Sequence, residues 1–405
     1  MLRFRNGYIV TEQGLLSGGV VFTDGELIAY AGSVMEAPRT DSAEMIDLDG
    51  GFLVPGFIDL HVHGGAGADF MDGTEEAWRT VLSAHAQHGT TSLPPTTPGA
   101  RHDQHLRFLE LCRKFRTEKA SGVASAPRAS VLGAHLYGPY FAKEARGCHP
   151  GDTVRPPTPE DYEPYFAFAK DIRTATVAPE LPGAEMFVRA CRANGIRCNA
   201  GHSYATFEQM EAAVGWGVRH VDHLFCAMSD RAKLRMSQTF PMRGGVMEAT
   251  LFFDELTTEI IADGKHLQAE LLRLAYKIKG VDRLSLVTDA NRAMDMPDGK
   301  YIFGPLDGGE WILKQDGVGL MPDGKALASS VVGLDECVRV FHRLVPEAPL
   351  VEVIRMATLT PAKILGLDHE IGSIVAGKRA DLVVLDAELR VRDVFIGGSR
   401  LPLAA

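Results

Sequence analysis

The sequence predicts an α/β protein: a (β/α)₈ barrel (TIM barrel) with a small β-sandwich domain formed by both chain termini. Three observations predict it. The two ends of the chain read alike, as short strands with glycine turns, and differ from the middle. Between them, eight short apolar or β-branched runs alternate with helical segments, the pattern of a parallel barrel. Histidine or aspartate stands at the end of several of these runs, where such a barrel carries its site.

Residues 2–32 contain LRFRNGYIV and then GGVVFTDGELIAYAG, in which Asp24-Gly25 marks a hairpin. Residues 371–400 read similarly, with turns at Gly377-Lys378 and Gly397-Gly398. Separate hairpins are marginal in water, so pairing of the two ends into one β domain is the more stable arrangement. The expected division is 1–54 and 367–405 for that domain and 55–366 for the barrel. The barrel runs are FLVPGFIDL (52–60), TTSLP (90–94), ASVLGAHL (129–136) and TATVAP (174–179), then IRCNAG (196–201), RHVDHLF (219–225), VMEATLFFDEL (246–256) and LSLVTD (284–289). Thr74 is placed to cap a helix carrying Trp78, Val81, Leu82 and Ala86 on one face. Thr206 and Gln209 have capping-box spacing, with Gly215 and Gly217 as stops. A doubly wound open sheet is the alternative architecture.

The chain has 405 residues, 45% apolar and 23% charged, which is ordinary for a globular protein. Its formal net charge of −10 argues against general nucleic-acid binding, because phosphate neutralisation needs excess Lys and Arg. The six cysteines form no C-x-x-C pair and no disulfide framework. No run reaches the roughly 18 apolar residues needed to span a bilayer, and the first residues lack a signal-peptide core. The expected compartment is the cytoplasm.

The sharpest local signal is GFIDLHVHGG (56–65). Side chains two apart on a strand share a face, so His61 and His63 present two imidazoles together just before the chain turns at Gly64-Gly65. His202 follows IRCNAG, His223 lies in RHVDHLF, and Asp289 ends LSLVTD. In a barrel all of these ends face one rim. Imidazoles with a carboxylate suit Zn²⁺ or Fe²⁺ better than Mg²⁺, so the expected cofactor is a divalent metal, one or two ions.

These stretches, with HLYGPYFAKEARGCHP (135–150), TVAPE (176–180), AGHSYAT (200–206), HLFCAM (223–228), IADGKHL (261–267), LVTDA (286–290), PDGKYIFG (297–304) and GSIVAGKRADLVVLD (372–386), make the chain resemble the N-acetylglucosamine-6-phosphate deacetylases of the amidohydrolase superfamily nearly end to end. The resemblance implies His61 and His63 as ligands of one metal position, His202 and His223 as ligands of a second, and Asp289 as catalytic acid/base. It implies substrate contacts from His149, His266, Cys226 and Ala227. It further implies that Arg243 is lent across a homodimer interface to the sugar phosphate.

Two departures stand out. The family's H-L-E-G-P motif carries a metal-binding glutamate where this chain has Tyr137, and Cys226 replaces an asparagine. Either a single ion sits on His61, His63, His202 and Asp289, with His223 free to orient water or the carbonyl, or Glu180 or Glu144 supplies the missing carboxylate. The single ion needs no moved backbone and is the preferred expectation. The expected reaction is hydrolysis of the N-acetyl amide of an amino sugar phosphate. The alternatives are a mononuclear amidohydrolase acting on another bond, such as a deaminase or N-acyl amino acid hydrolase, and a catalytically silent sugar-phosphate-binding relative.

Overall fold

Gly56 divides the run 52–60 in two. A Cβ at this position would lie 2.2 Å from Thr91 Oγ1, so only glycine lets the backbone approach the neighbouring strand closely enough to cross between sheets. Before it, Phe52–Pro55 belongs to a sheet built from both chain ends; after it, Phe57–Ile58 begins the barrel. The computed structural model describes residues 1–38, 43–118, 127–236 and 240–403.

The end-derived β structure has two sheets. In the larger, Leu382–Leu385 lies between Phe52–Pro55 and Val391–Ile396, with Tyr8–Thr11 and Gly14–Ser17 beyond the former. In the smaller, Leu2–Arg5 lies between Gly19–Asp24 and Glu44–Asp47. Alternate residues of both bury one shared core, including Phe4, Ile9, Val21, Ile28, Leu53, Leu382 and Phe395. Phe4 and Phe395 meet edge-to-face across it at 5.0 Å. The Asp24-Gly25 hairpin forms with Asp24 opposite Leu27, and Gly397 and Gly398 both take positive φ in the second hairpin.

The middle of the chain closes into a parallel barrel. After Phe57–Ile58 come Thr90–Leu93, then Ser130–Val131 continued past Gly133 by Ala134–Leu136. Ile172–Val177, Arg197–Ala200, Val218–Val221, Thr257–Ile261 and Leu284–Val287 follow in sequence order, each parallel to the one before. Val62 closes the ring by bridging both Pro95 and Ala290. Asp289 N–H donates to His61 O and His63 N–H to Ala290 O, both at 2.9 Å. The last strand is thereby locked to the first at the very residues that carry the chemistry.

Thr74 caps Glu75–Gln87 by accepting from Ala77 N–H, and Trp78, Val81, Leu82 and Ala86 are buried against the strands. Burial of each large side chain contributes roughly 2 kcal/mol. Thr206 and Gln209 form both bonds of the capping box on Phe207–Trp216, which ends at Gly217 with φ +118.

One expected strand is wrong. Residues 246–256 do not form it: Val246–Phe252 is a helix, capped by the Glu248 carboxylate accepting from Gly245 N–H at 2.7 Å. The barrel strand is Thr257–Ile261. A short apolar run does not by its periodicity distinguish a helix from a buried strand.

Candidate active site

His61, His63, His202, His223 and Asp289 all stand at strand ends on one rim, but only His61, His63 and Asp289 bring their donor atoms together, so His202 is not part of the cluster expected for a single ion. His61 and His63 leave the first strand on one face, and Asp289 comes from the backbone paired with them. His61 Nε2 is 3.7 Å and His63 Nε2 3.2 Å from Asp289 Oδ1. Donor atoms of these three lie within 4.8 Å of one another and are buried. His202 and His223 stand outside that set, with their rings 5.1 Å apart, and Tyr137 fills the space between, its ring 4.4 Å from that of His61 and 5.3 Å from that of His202.

Three of these residues bend the backbone to reach the rim. His202, His223 and Asp289 have φ of 46°, 26° and 49°. The left-handed region costs a non-glycine residue about 1–2 kcal/mol, and such residues cluster where function fixes geometry. The surrounding hydrogen bonds hold them: Ala142 N–H donates to His202 O at 3.0 Å and Cys226 N–H to His223 O at 2.9 Å.

Ring partners assign the tautomers. His61 Nδ1 lies 2.6 Å from the Glu259 carboxylate, so it donates there and leaves Nε2 buried without a partner and facing Asp289. An unpartnered lone pair among a carboxylate and a second imidazole is what a divalent cation requires, and the carboxylate–imidazole pair behind it is the usual support for a metal-bound histidine. His202 Nδ1 donates to Ala145 O at 2.6 Å, leaving its Nε2 lone pair. His149 is the reverse: Gly99 N–H donates to its Nδ1 at 3.1 Å, so its proton sits on Nε2. Phe303 lies against His63 and His149, at 4.9 and 5.3 Å between ring centres. Its loop is held by Arg292, which donates to Ile302 O and Gly304 O and pairs with Asp72 at 2.6 Å.

Burial opposes the charge on Asp289, but His61, the hydrogen bond from His63 and His223 outweigh it and hold its carboxyl at about 2. Burial likewise opposes the charge on His61, yet Glu259 and Asp289 raise it to about 9.

Above these groups opens a cavity of about 370 Å³, lined also by His149, His202, His223, His266, Cys226 and Ala227. His266 Nδ1 is tied to Asp263 Oδ2 at 2.7 Å. Among the described residues no lysine or arginine lines the cavity, and Arg243 is exposed on the surface. Glu144 reaches the cavity wall. Glu180 does not: its carboxylate accepts from Ser203 Oγ at 2.7 Å and from Tyr204 N–H, fixing the loop that carries His202.

Sequence reasoning missed the carboxylates beneath the rim. Glu259 accepts from His61 Nδ1, from His220 Nε2 at 3.3 Å and from His223 N–H at 3.3 Å. Asp59 accepts from the Thr288 hydroxyl at 2.6 Å, and Asp222 from the Thr176 hydroxyl at 2.6 Å and from Asn199 at 2.8 Å. A usable signal existed for Glu259, a lone charge in the β-branched run TTEII (257–261).

Comparison with known proteins agrees with this architecture. The chain is similar to the N-acetylglucosamine-6-phosphate deacetylase of Vibrio furnissii, 32% identical over 357 residues that span 88% of this chain and 84% of the relative. It is equally similar, at 32% identity over 96% of both chains, to the N-acetylgalactosamine-6-phosphate deacetylase of Escherichia coli O157:H7. The crystal structure of N-acetylglucosamine-6-phosphate deacetylase from Pasteurella multocida superposes with a TM-score of 0.88 at 30% identity, covering 98% of this chain and 99% of that one. The amidohydrolase family model matches residues 52–401, and with strands, rim and buried donor set all in register with that match, the chain belongs to the amidohydrolase family.

Proposed function

We propose that the protein hydrolyses the N-acetyl amide of an amino sugar phosphate such as N-acetylglucosamine 6-phosphate, giving acetate and the free amino sugar phosphate. The observation that carries this reading is the grouping of His61, His63 and Asp289 donor atoms within 4.8 Å, at the floor of a cavity sized for a small polar ligand. These three residues would hold a divalent metal, Zn²⁺ or Fe²⁺, whose Lewis acidity makes water nucleophilic near neutral pH.

The chain's own groups do the rest. Asp289, ionised, takes a proton from the attacking water as its oxygen adds to the amide carbon. The carbonyl π pair moves to oxygen, where His149 Nε2–H can donate to it. As the C–N bond breaks, Asp289 returns the proton to the departing nitrogen. His266, Cys226 and Ala227 line the wall that would contact the sugar. A panel assay tests the reaction: the metal-loaded enzyme is expected to release acetate, not ammonia, from acetylated amino sugar phosphates and to lose activity on chelation. Ammonia release, or turnover unaffected by chelation, would refute it.

That no lysine or arginine among the described residues lines the cavity favours a second substrate class, an N-acyl compound without phosphate, unless a cation comes from elsewhere. We infer that it comes from a second copy of the chain. Arg243 lies in a stretch where Met236, Phe240, Met242 and Phe252 are 91%, 82%, 61% and 69% exposed, an apolar surface suited to a homodimer interface. A charge-assisted hydrogen bond is worth about 1.5–3 kcal/mol. Arg243→Ala should therefore raise KM for the phosphorylated substrate roughly 10- to 100-fold and leave KM for the unphosphorylated acetyl amino sugar unchanged. Equal effects on both substrates would remove Arg243 from the site.

We take residues 1–54 and 367–405 as one β domain and 55–366 as the hydrolase barrel, a division supported by Gly56 and by the helix end at Gly366. No helix among the described residues is long and apolar enough to cross a membrane. The six cysteines are all unpaired, which supports a reducing, cytoplasmic setting.

A further inference from the structure

Tyr137 is 1% exposed, yet its hydroxyl lies 2.5 Å from His223 Nε2. The distance identifies the contact. Two ligands each about 2.0–2.1 Å from a tetrahedral Zn²⁺ stand about 3.3 Å apart. The pairs His63–Asp289 and His61–Asp289, at 3.2 and 3.7 Å, fit that spacing. A separation of 2.5 Å fits only a short hydrogen bond. His223 Nε2 is therefore committed to the phenol, and no ion can be shared between them.

The other ring nitrogen fixes the direction of that bond. His223 Nδ1 is buried without a partner. A proton there would leave an orphaned buried N–H, which folded proteins almost never keep, whereas a bare lone pair costs less. The proton thus belongs on Nε2, donated to Tyr137 Oη. The phenol's own proton is left to turn elsewhere, and among the described residues His223 is the side chain bonded to that oxygen. Tyr137 lines the cavity together with His149, His202 and Asp289.

We infer that Tyr137, oriented by His223, donates a second hydrogen bond, beside that of His149 Nε2–H, to the oxyanion formed as water adds to the amide, in a site that holds a single ion. The phenol keeps its proton throughout: it donates a stronger hydrogen bond as charge builds on the former carbonyl oxygen and relaxes when the C–N bond breaks. His223 acts through Tyr137 and is a positioning residue. The inference rests on the hydrolase reading given above.

Ion counts and kinetics together test it. Wild-type enzyme stripped and reloaded with Zn²⁺ should carry one ion per chain by elemental analysis, and so should Tyr137→Phe. That variant should lose about 10²-fold or more in kcat on N-acetylglucosamine 6-phosphate, with KM within about twofold. Tyr137→Glu frees His223 Nε2 and adds a carboxylate beside it, so its ion content should rise toward two per chain. Two ions on the wild type overturn the inference. So does a Tyr137→Phe enzyme with wild-type kcat, or one that loses its ion along with its activity. A wild-type chain that holds one ion but releases no acetate from any substrate refutes the deacetylase reading and the donor role together, and leaves the one-ion assignment standing. The two failures are thus distinguishable.

Discussion

Replacing Asp289 by asparagine should lower kcat by about 10³-fold, within the range that general acid–base groups contribute. The amide keeps the shape of the carboxylate and can still face His63, 3.2 Å away in the wild type, but it can neither take a proton from water nor return one to nitrogen. Both halves of the reaction lose the same group, so the deficit appears in kcat and in kcat/KM alike. Because Asp289 is also one of the three donor groups, steady-state kinetics on N-acetylglucosamine 6-phosphate decide the point when ion content is measured on the same samples and found unchanged. A variant retaining more than a tenth of wild-type turnover would mean that proton transfer runs through another residue.

The second large effect is on stability. Glu259→Ala should destabilise the fold by about 3–5 kcal/mol, the cost of removing one partner from a buried charged pair. Glu259 is 1% exposed and touches His61, His220 and the His223 backbone at once. Without it, two buried imidazoles, His61 and His220, lose their acceptor. His61 also loses the group that sets its tautomer, so ion affinity should fall about 10- to 100-fold. Urea denaturation and metal titration at pH 7 read these effects separately. Glu259→Gln preserves volume and one acceptor, and should fall between alanine and wild type in both. An alanine variant that unfolds at the wild-type midpoint and binds its ion normally would show that Glu259 has no supporting role.

What could be read from the sequence, and what could not, follows from the range of each interaction. The Thr74 and Thr206 caps were legible because a cap and its N–H partner lie three residues apart. His61 and His63 were legible for the same reason, since strand geometry alone places them on one face. Glu259 reaches His61 across 198 positions of chain, and no local pattern announces that pairing. The helix Val246–Phe252 was mistaken for a strand because its buried face, Val246, Ala249 and Thr250, is too short for periodicity to decide. Glu180 has the composition of a metal ligand and is instead a loop support, a difference visible only once Ser203 and Tyr204 are seen donating to it. Tyr137 was recognisable as a departure, while its bond to His223, 86 residues away, was not.

The interleaving of the chain ends has a consequence for biosynthesis. Leu382–Leu385 is inserted between Phe52–Pro55 and Val391–Ile396, so the earlier strand lacks one neighbour until the whole intervening barrel has been synthesised. Throughout elongation the emerging polypeptide displays an unpaired edge rich in apolar residues, the kind of surface on which nascent molecules stick to one another. Yield in the cell therefore depends on how well that edge is shielded during translation as much as on how stable the finished enzyme is.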